Sequence, residues 1–225
     1  MSAQAPERFP SVDERLATVP RPVPVLSREE AAALTTRQRE ILDDLTQLIA
    51  NGFSHLTMAD LAGQLGCSLR TLYGIAPSRD LLVLVACDRN LWGAGRLASD
   101  AAGRAEHIEP LERVRRYLRA ATRAVSSTTA AFSADMAALP GGPELNEAHT
   151  GYLVAITKEL LDMAVENGDI VAVETLVLAH SMAGISSVFI QPDVIDTLPG
   201  TPKEASDTIV DIILRGLTAP TPESP

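Results

Sequence analysis

Residues 58–77 read MADLAGQLGCSLRTLYGIAP, and few folds tolerate that spacing. Thr57 with Asp60 has capping-box spacing and opens a short helix from Met58 to Leu65. Gly66-Cys67 makes a turn, and Ser68 caps a second short helix to about Ile75. Two short helices that cross steeply need a small residue where they touch, which Ala62 supplies. They need a residue that tolerates a left-handed turn, which is Gly66. They also need apolar support from below, offered by Leu61, Leu65, Leu72 and Ile75. These are the demands of a helix-turn-helix. Its second helix turns Ser68, Leu69, Arg70, Thr71 and Tyr73 outward, side chains able to meet phosphates or base edges. The alternative reading of the spacing is an ordinary helical hairpin with a glycine turn.

The rest of the chain also reads as helix, which predicts an all-α fold. Aromatic residues are 4% of the chain and alternating β-branched runs are missing. Thr35 with Gln38 caps a helix whose apolar face is Ile41, Leu42, Leu45, Leu48 and Ile49, and Gly52 ends it. Ser27 with Glu30 offers an earlier start. Pro77-Ser78 restarts a long helix through Arg96, and Pro110 opens another. Pro140-Gly141-Gly142-Pro143 is a break, followed by helices over 144–166, 169–190 and 203–217. Five of the 15 prolines fall within the first 24 residues, so residues 1–34 are expected to form an arm that is mostly disordered or extended. Residues 218–225 are expected to be a loose tail.

The net charge of −10 at first argues against a nucleic-acid partner. Residues 101–225, however, hold 9 basic and 17 acidic residues, so −8 of the −10 lies there. Ala62 to Arg79 contains Arg70 and Arg79 and no acid. A local basic patch survives the overall balance. Two cysteines without a CxxC give neither a disulfide framework nor a cysteine zinc site. The N-terminus has no apolar signal stretch, and the run from Ile170 to Ile190 is interrupted by Glu174 and His180. A cytoplasmic protein without a membrane partner is expected.

From Ile41 to Leu82 the chain resembles the N-terminal domain of TetR-type bacterial regulators. The resemblance is carried by Ile41-Leu42, Leu48-Ile49-Ala50, Gly52-Phe53, Leu56-Thr57-Met58, Leu61-Ala62, Leu65-Gly66, Ser68, Thr71-Leu72-Tyr73, Arg79-Asp80 and Leu82. The chain departs from the pattern at Arg70, where that family usually has a small residue. It departs again at Ile75-Ala76, where an aromatic or histidine and then Phe are usual, and at Arg79, where Lys is usual. Residues 34–42 also resemble the opening of LuxR-type response domains, which are shorter before the glycine and normally C-terminal.

The TetR resemblance implies a dimeric, ligand-responsive transcriptional regulator, usually a repressor, that binds a palindromic double-stranded operator. Residues 35–80 would bind DNA, and 81–217 would bind an effector and hold the dimer. Thr57, Tyr73 and Arg79 are the expected phosphate contacts, with Ser68, Leu69, Arg70 and Thr71 entering the groove. A mostly apolar effector pocket would draw on Trp92, Tyr117, Phe132, Met136, Tyr152, Met163 and His180. A charged effector would need Arg116 or Arg119 turned inward. Small residues Ala183, Gly184 and Ser187, with the stripe Ile209, Ile212 and Ile213, suit a helical dimer interface. No Gly-rich phosphate loop or GxSxG occurs, and the four histidines never pair at helical spacing. An enzyme, a cofactor and a bound metal are therefore not expected. The rival reading is a helical binding protein or enzyme whose N-terminal hairpin is only structural.

Overall fold

The computed structural model describes residues 11–103, 108–125, 129–189, 191–195 and 197–218. His107, the first ten residues of the expected arm and residues 219–225 of the expected tail lie outside them. The described residues form twelve α-helices and no sheet; one isolated bridge joins Ile170 and Thr218.

The arm corrects the sequence reading. Ser11 and Glu14 form a capping box that starts α1 (Val12–Ala17), and Ser27 and Glu30 form another that starts α2 (Arg28–Ala33). Between them Pro20, Pro22 and Pro24 keep the chain out of helix. The segment is nonetheless docked. Val19 is buried, Arg15 pairs with Glu159 at 3.2 Å and also with Glu166, and the Val25 N–H donates to Asp88 Oδ2 at 2.9 Å. Prolines removed helix from residues 20–24 without removing the apolar and charged side chains that anchor the strap.

The next elements build a head. Thr35 caps α3 (Thr36–Leu48), which tightens into a 3₁₀ turn (Ile49–Asn51) and ends at Gly52, φ 103°. Then come α4 (Met58–Gln64) and α5 (Leu69–Tyr73). Ser78 caps α6 (Arg79–Ala102), the helix that leaves the head. The body follows as α7 (Pro110–Val125), α8 (Ala130–Ala138), α9 (Gly142–Glu166), α10 (Thr175–Val188), α11 (Pro192–Ile195) and α12 (Pro202–Leu217).

The helix expected over 169–190 begins only at Thr175. Gly168 at φ 80° ends the preceding turn, and the next residues cross the end of α12, with the Val171 N–H donating to the Leu217 carbonyl at 2.9 Å. Ile190 lies outside the described residues. Helix α8 was not expected; it packs against the 3₁₀ turn of the head.

Two apolar cores result. The first holds Ile41, Leu45, Phe53, Leu61, Leu72 and Leu82 of the head, and it reaches into the body at Met136, Leu139 and Leu145. The second holds Val114, Tyr117, Ile156, Leu160, Val210 and Leu214, with Val19 of the strap. Helix α6 serves both, giving Leu82–Cys87 to the first and Ala98 and Ala102 to the second. Burying a Leu, Ile or Phe contributes roughly 1.5–3 kcal/mol, so the two cores dominate the stability of the fold.

Candidate nucleic-acid interface and effector region

The hairpin at residues 57–76 has the geometry its spacing predicts. Gly66 sits at φ 58°, and the Cys67 N–H returns to the Ala62 carbonyl at 3.0 Å, closing the turn. Leu61 and Leu72 are wholly buried, and Leu65, Ile75 and Ala76 nearly so. These residues fix α5 from beneath. Ala76 is buried although it is smaller than the Phe usual in the family pattern. On the outer face Leu69 is 43% and Tyr73 53% exposed. Ser68 and Arg70 are also exposed, and Thr71 is half-buried with its hydroxyl 2.8 Å from that of Ser68. Among the described residues the Arg70 guanidinium has no hydrogen-bond or ion-pair partner.

Two expected phosphate contacts are engaged elsewhere. The Thr57 hydroxyl donates to Asp60 Oδ2 at 2.6 Å and accepts the Asp60 N–H. Asp60 is held below the usual carboxylate range, chiefly by the Thr57 side chain and then by its backbone N–H. Arg79 clamps the loop before α4. Its Nε donates to the Leu56 carbonyl at 3.0 Å, Nη1 to Asp80 at 2.8 Å and Nη2 to the Phe53 carbonyl, with the guanidinium 5.6 Å from the Phe53 ring centre. Three of its five guanidinium N–H groups are thereby engaged, and its backbone N–H at the start of α6 remains suited to a phosphate. One cation beside the hairpin was not anticipated. Arg37, at the exposed start of α3, lies near enough to Cys67 for its charge to oppose the upward push of burial on that thiol. Gln38, its neighbour, stands against α5, since a Cβ at Gly74 would be 3.0 Å from the Gln38 Nε2.

Of the seven residues expected to line one effector pocket, four are divided between the two cores. Phe132 and Met136 pack with the head, Phe132 edge-on to Phe53 at 5.7 Å between ring centres. Tyr117 and Tyr152 belong to the second core, where burial drives the Tyr117 phenol upward. Met163 is half-buried on α9, and His180 is exposed on α10 and removed from the interior. Trp92 and Tyr152 do meet, at 5.9 Å between ring centres. Beside them stands His149, which sequence reasoning passed over: its ring is 5.3 Å from that of Trp92. His149 Nε2 lies 2.9 Å from Asp88 Oδ1, and both side chains are 8% exposed. Asp88 thus joins α6 to α9 through one oxygen and to the strap through the other. Arg116 pairs with Glu112 and Arg119 with Asp211, so neither is turned inward.

The candidate dimer residues lie on α10 and α12. Gly184, Ser187 and Ile212 are exposed, Ile212 by 55%. Ala183 and Ile213 turn partly toward the second core, and Ile209 is half-buried. Leu176, Val177 and Val188 extend the exposed apolar surface of α10. Among the described residues no three His, Cys, Asp or Glu side chains are grouped to hold a metal ion, and no helix is long and apolar enough to cross a membrane.

No family model matches the chain, and no curated protein matches it. Solved structures do. The TetR-family regulator PfmR from Thermus thermophilus is 24% identical with a TM-score of 0.57, over 80% of this chain and 99% of that one. A TetR-family transcriptional regulator from Agrobacterium tumefaciens is 18% identical with a TM-score of 0.61, over 82% and 98%. The ketosteroid transcriptional regulator KstR2 of Mycobacterium tuberculosis is 17% identical with a TM-score of 0.53, over 83% and 97%. The likeness spans 80–83% of this chain and nearly all of each of these structures, and the chain has the fold of TetR-family transcriptional regulators.

Proposed function

We propose that the chain is a dimeric DNA-binding transcriptional regulator, a repressor released when a small apolar or aromatic molecule occupies its body. The observation that carries this reading is the outer face of α5. Leu69, Arg70 and Tyr73 stand exposed on a hairpin fixed from below by buried Leu61, Leu72 and Ile75, with no acid from Ala62 to Arg79. A helix so presented suits the major groove, with Arg70 reading a base edge and Tyr73, Ser68 and Arg37 meeting phosphates. The TetR-type fold over most of the chain supports it. Helices α10 and α12 would pair with their two-fold mates through Gly184, Ser187, Ile209 and Ile212. That symmetry would set two copies of α5 about 34–36 Å apart, one turn of DNA, on a palindromic site.

The test is selection of bound sequences from a random duplex library at physiological salt. The expected product is a palindrome with half-sites one turn apart. Arg70→Ala should relax preference at one position in each half-site and cost roughly 1–3 kcal/mol. A pool that shows no enriched sequence would overturn the reading.

A further inference from the structure

Two stretches of chain run between head and body. One is α6, and the other is the strap. Val12, Leu16 and Val19 of the strap pack in the second core, whereas Val25 and Leu26 pack against the first. Between these ends Pro20, Pro22 and Pro24 hold φ at about −65° and offer no N–H, which makes the crossing a semi-rigid spacer.

The strap and α9 meet at the same residue of α6. At its first end the strap is rooted on α9, where Arg15 pairs with Glu159 at 3.2 Å and also with Glu166. At its second end the Val25 N–H donates to Asp88 Oδ2 at 2.9 Å. Helix α9 runs from Glu159 back to His149 over about 15 Å of rigid backbone, and His149 Nε2 stands 2.9 Å from the other Asp88 oxygen. Two struts with one root thus converge on one buried carboxylate. Its N–H bond to Val25 outweighs the Arg15 pairs, whose carboxylates are part-exposed and screened by solvent. Val25 is therefore where the strap holds α6 or lets it go. Within the body α6 otherwise leans mainly on α7 and only lightly on α9. The head is gripped elsewhere by α8, whose Asp135 accepts the N–H groups of Phe53 and Ser54. A rigid unit held at one loop pivots about it, and a second fixed point at Asp88 stops the pivot.

We propose that the strap is a brace that sets the angle of the head against the body, and that the bond from Val25 to Asp88 is its catch. With the catch closed, head and body move as one unit. With it open, α6 pivots on α7 and the head samples a range of angles. The regulatory consequence rests on the reading of the chain as a DNA-binding dimer. Two braced heads keep one spacing, and an operator then meets a smaller ordering cost than it does with two loose ones.

The brace is tested on the full chain without DNA, by the distance between a spin label in the head and another in the body. Gly63 on α4 and Gly151 on α9 are exposed, and a Cβ at either meets nothing within 4 Å, so Gly63→Cys and Gly151→Cys carry the labels. Cys67→Ser removes the part-exposed thiol, and buried Cys87 stays unlabelled. Labelled chain is diluted with unlabelled chain so that only distances within one chain are read. The braced protein should give one narrow distance distribution. Val25→Pro, which removes the N–H, should broaden it, and Val25→Ala, which keeps the N–H, should not. Pro20→Gly, Pro22→Gly and Pro24→Gly together keep both ends of the strap and soften the crossing, and should broaden it as well. A width unchanged in Val25→Pro or in the glycine variant, or equal broadening in Val25→Ala, would overturn the proposal. Val25→Pro should also bind the selected operator at least about fivefold more weakly, the lower end of coupling between linked sites. Unchanged operator affinity would overturn the regulatory consequence. A chain that selects no operator would overturn the proposed function instead, while the distances still decide the brace.

Discussion

The carboxylate of Asp135, on α8, accepts the backbone N–H of Phe53 at 2.5 Å and that of Ser54 at 2.8 Å. These N–H groups lie on the loop that leads into α4, and Arg79 holds the carbonyls of the same loop from the other side. Bundle and head are therefore joined by polar contacts at this loop, and just before it the Thr129 hydroxyl donates to the Ala50 carbonyl at 3.2 Å. Asp135→Ala should cost about 1–3 kcal/mol, since it leaves a part-buried N–H without a partner. Burial opposes the charge on Asp135, but the two N–H groups, with the Ser54 side chain and the Arg79 charge, outweigh it and hold its pKa below the ordinary value. A carboxylate so lowered contributes stability above its unfolded pKa and loses it as pH falls through the folded value. Urea denaturation should show the deficit of Asp135→Ala at neutral pH and its disappearance in acid. An unchanged midpoint at neutral pH would refute the latch.

The Asp88–His149 pair should be worth more to the fold than any surface ion pair. Replacing His149 leaves Asp88 Oδ1 buried without its partner, with only the Val25 N–H on the other oxygen, which typically costs about 1–3 kcal/mol. His149→Phe should therefore destabilise the chain strongly. Asp88→Asn should be milder, because an amide can still serve Val25 or His149. Thermal unfolding of the two variants checks the order.

Gly184 separates fold from assembly. A Cβ there meets nothing within 4 Å in the isolated chain, and removing a helical glycine is intrinsically favourable by up to about 1 kcal/mol. Gly184→Phe should leave the helical signal and unfolding midpoint intact. If α10 faces its two-fold mate, the same variant should sediment as a monomer at micromolar concentration, as should Ile212→Glu. Two dimeric variants would remove α10 and α12 from the interface.

The two cysteines should differ in reactivity. Cys87 is buried against Asp88, and burial first, then that charge, push its thiol up to about 12. At pH 8 iodoacetamide should modify Cys67, which is part-exposed, and spare Cys87 until the chain unfolds. A thiol whose pKa is raised on folding favours the folded state fully below its unfolded pKa, near 9. That contribution is lost as pH rises from there toward about 12. Labelling of both cysteines in the native chain at equal rates would contradict the burial.

What the sequence disclosed was mostly local. The capping boxes at Ser27, Thr35 and Thr57 were readable because each side chain answers a backbone N–H three residues away. Ser11 with Glu14 has the same spacing and was lost among the flanking prolines. The helix-turn-helix was legible because its turn needs a particular residue at a particular offset. The effector residues were not, since helical periodicity says which side chains point inward but not into which of two cores. Phe132 and Tyr117 look alike by that criterion and lie in different cores. The inward contacts of Arg79 were hidden for a related reason. Its charge suggested an anion, and besides the adjacent Asp80 it meets two backbone carbonyls that no residue pattern reveals.

The strap that Arg15 fastens to Glu159 has a consequence for the order of biosynthesis. Its two ends are separated by 144 residues of chain. At roughly 5–20 residues per second, the N-terminal segment would wait about 7–30 s on the ribosome before its acceptor helix emerges. Head and connecting helix can collapse in that interval and Val25 can reach Asp88, but the Arg15 end of the strap closes only once α9 has emerged.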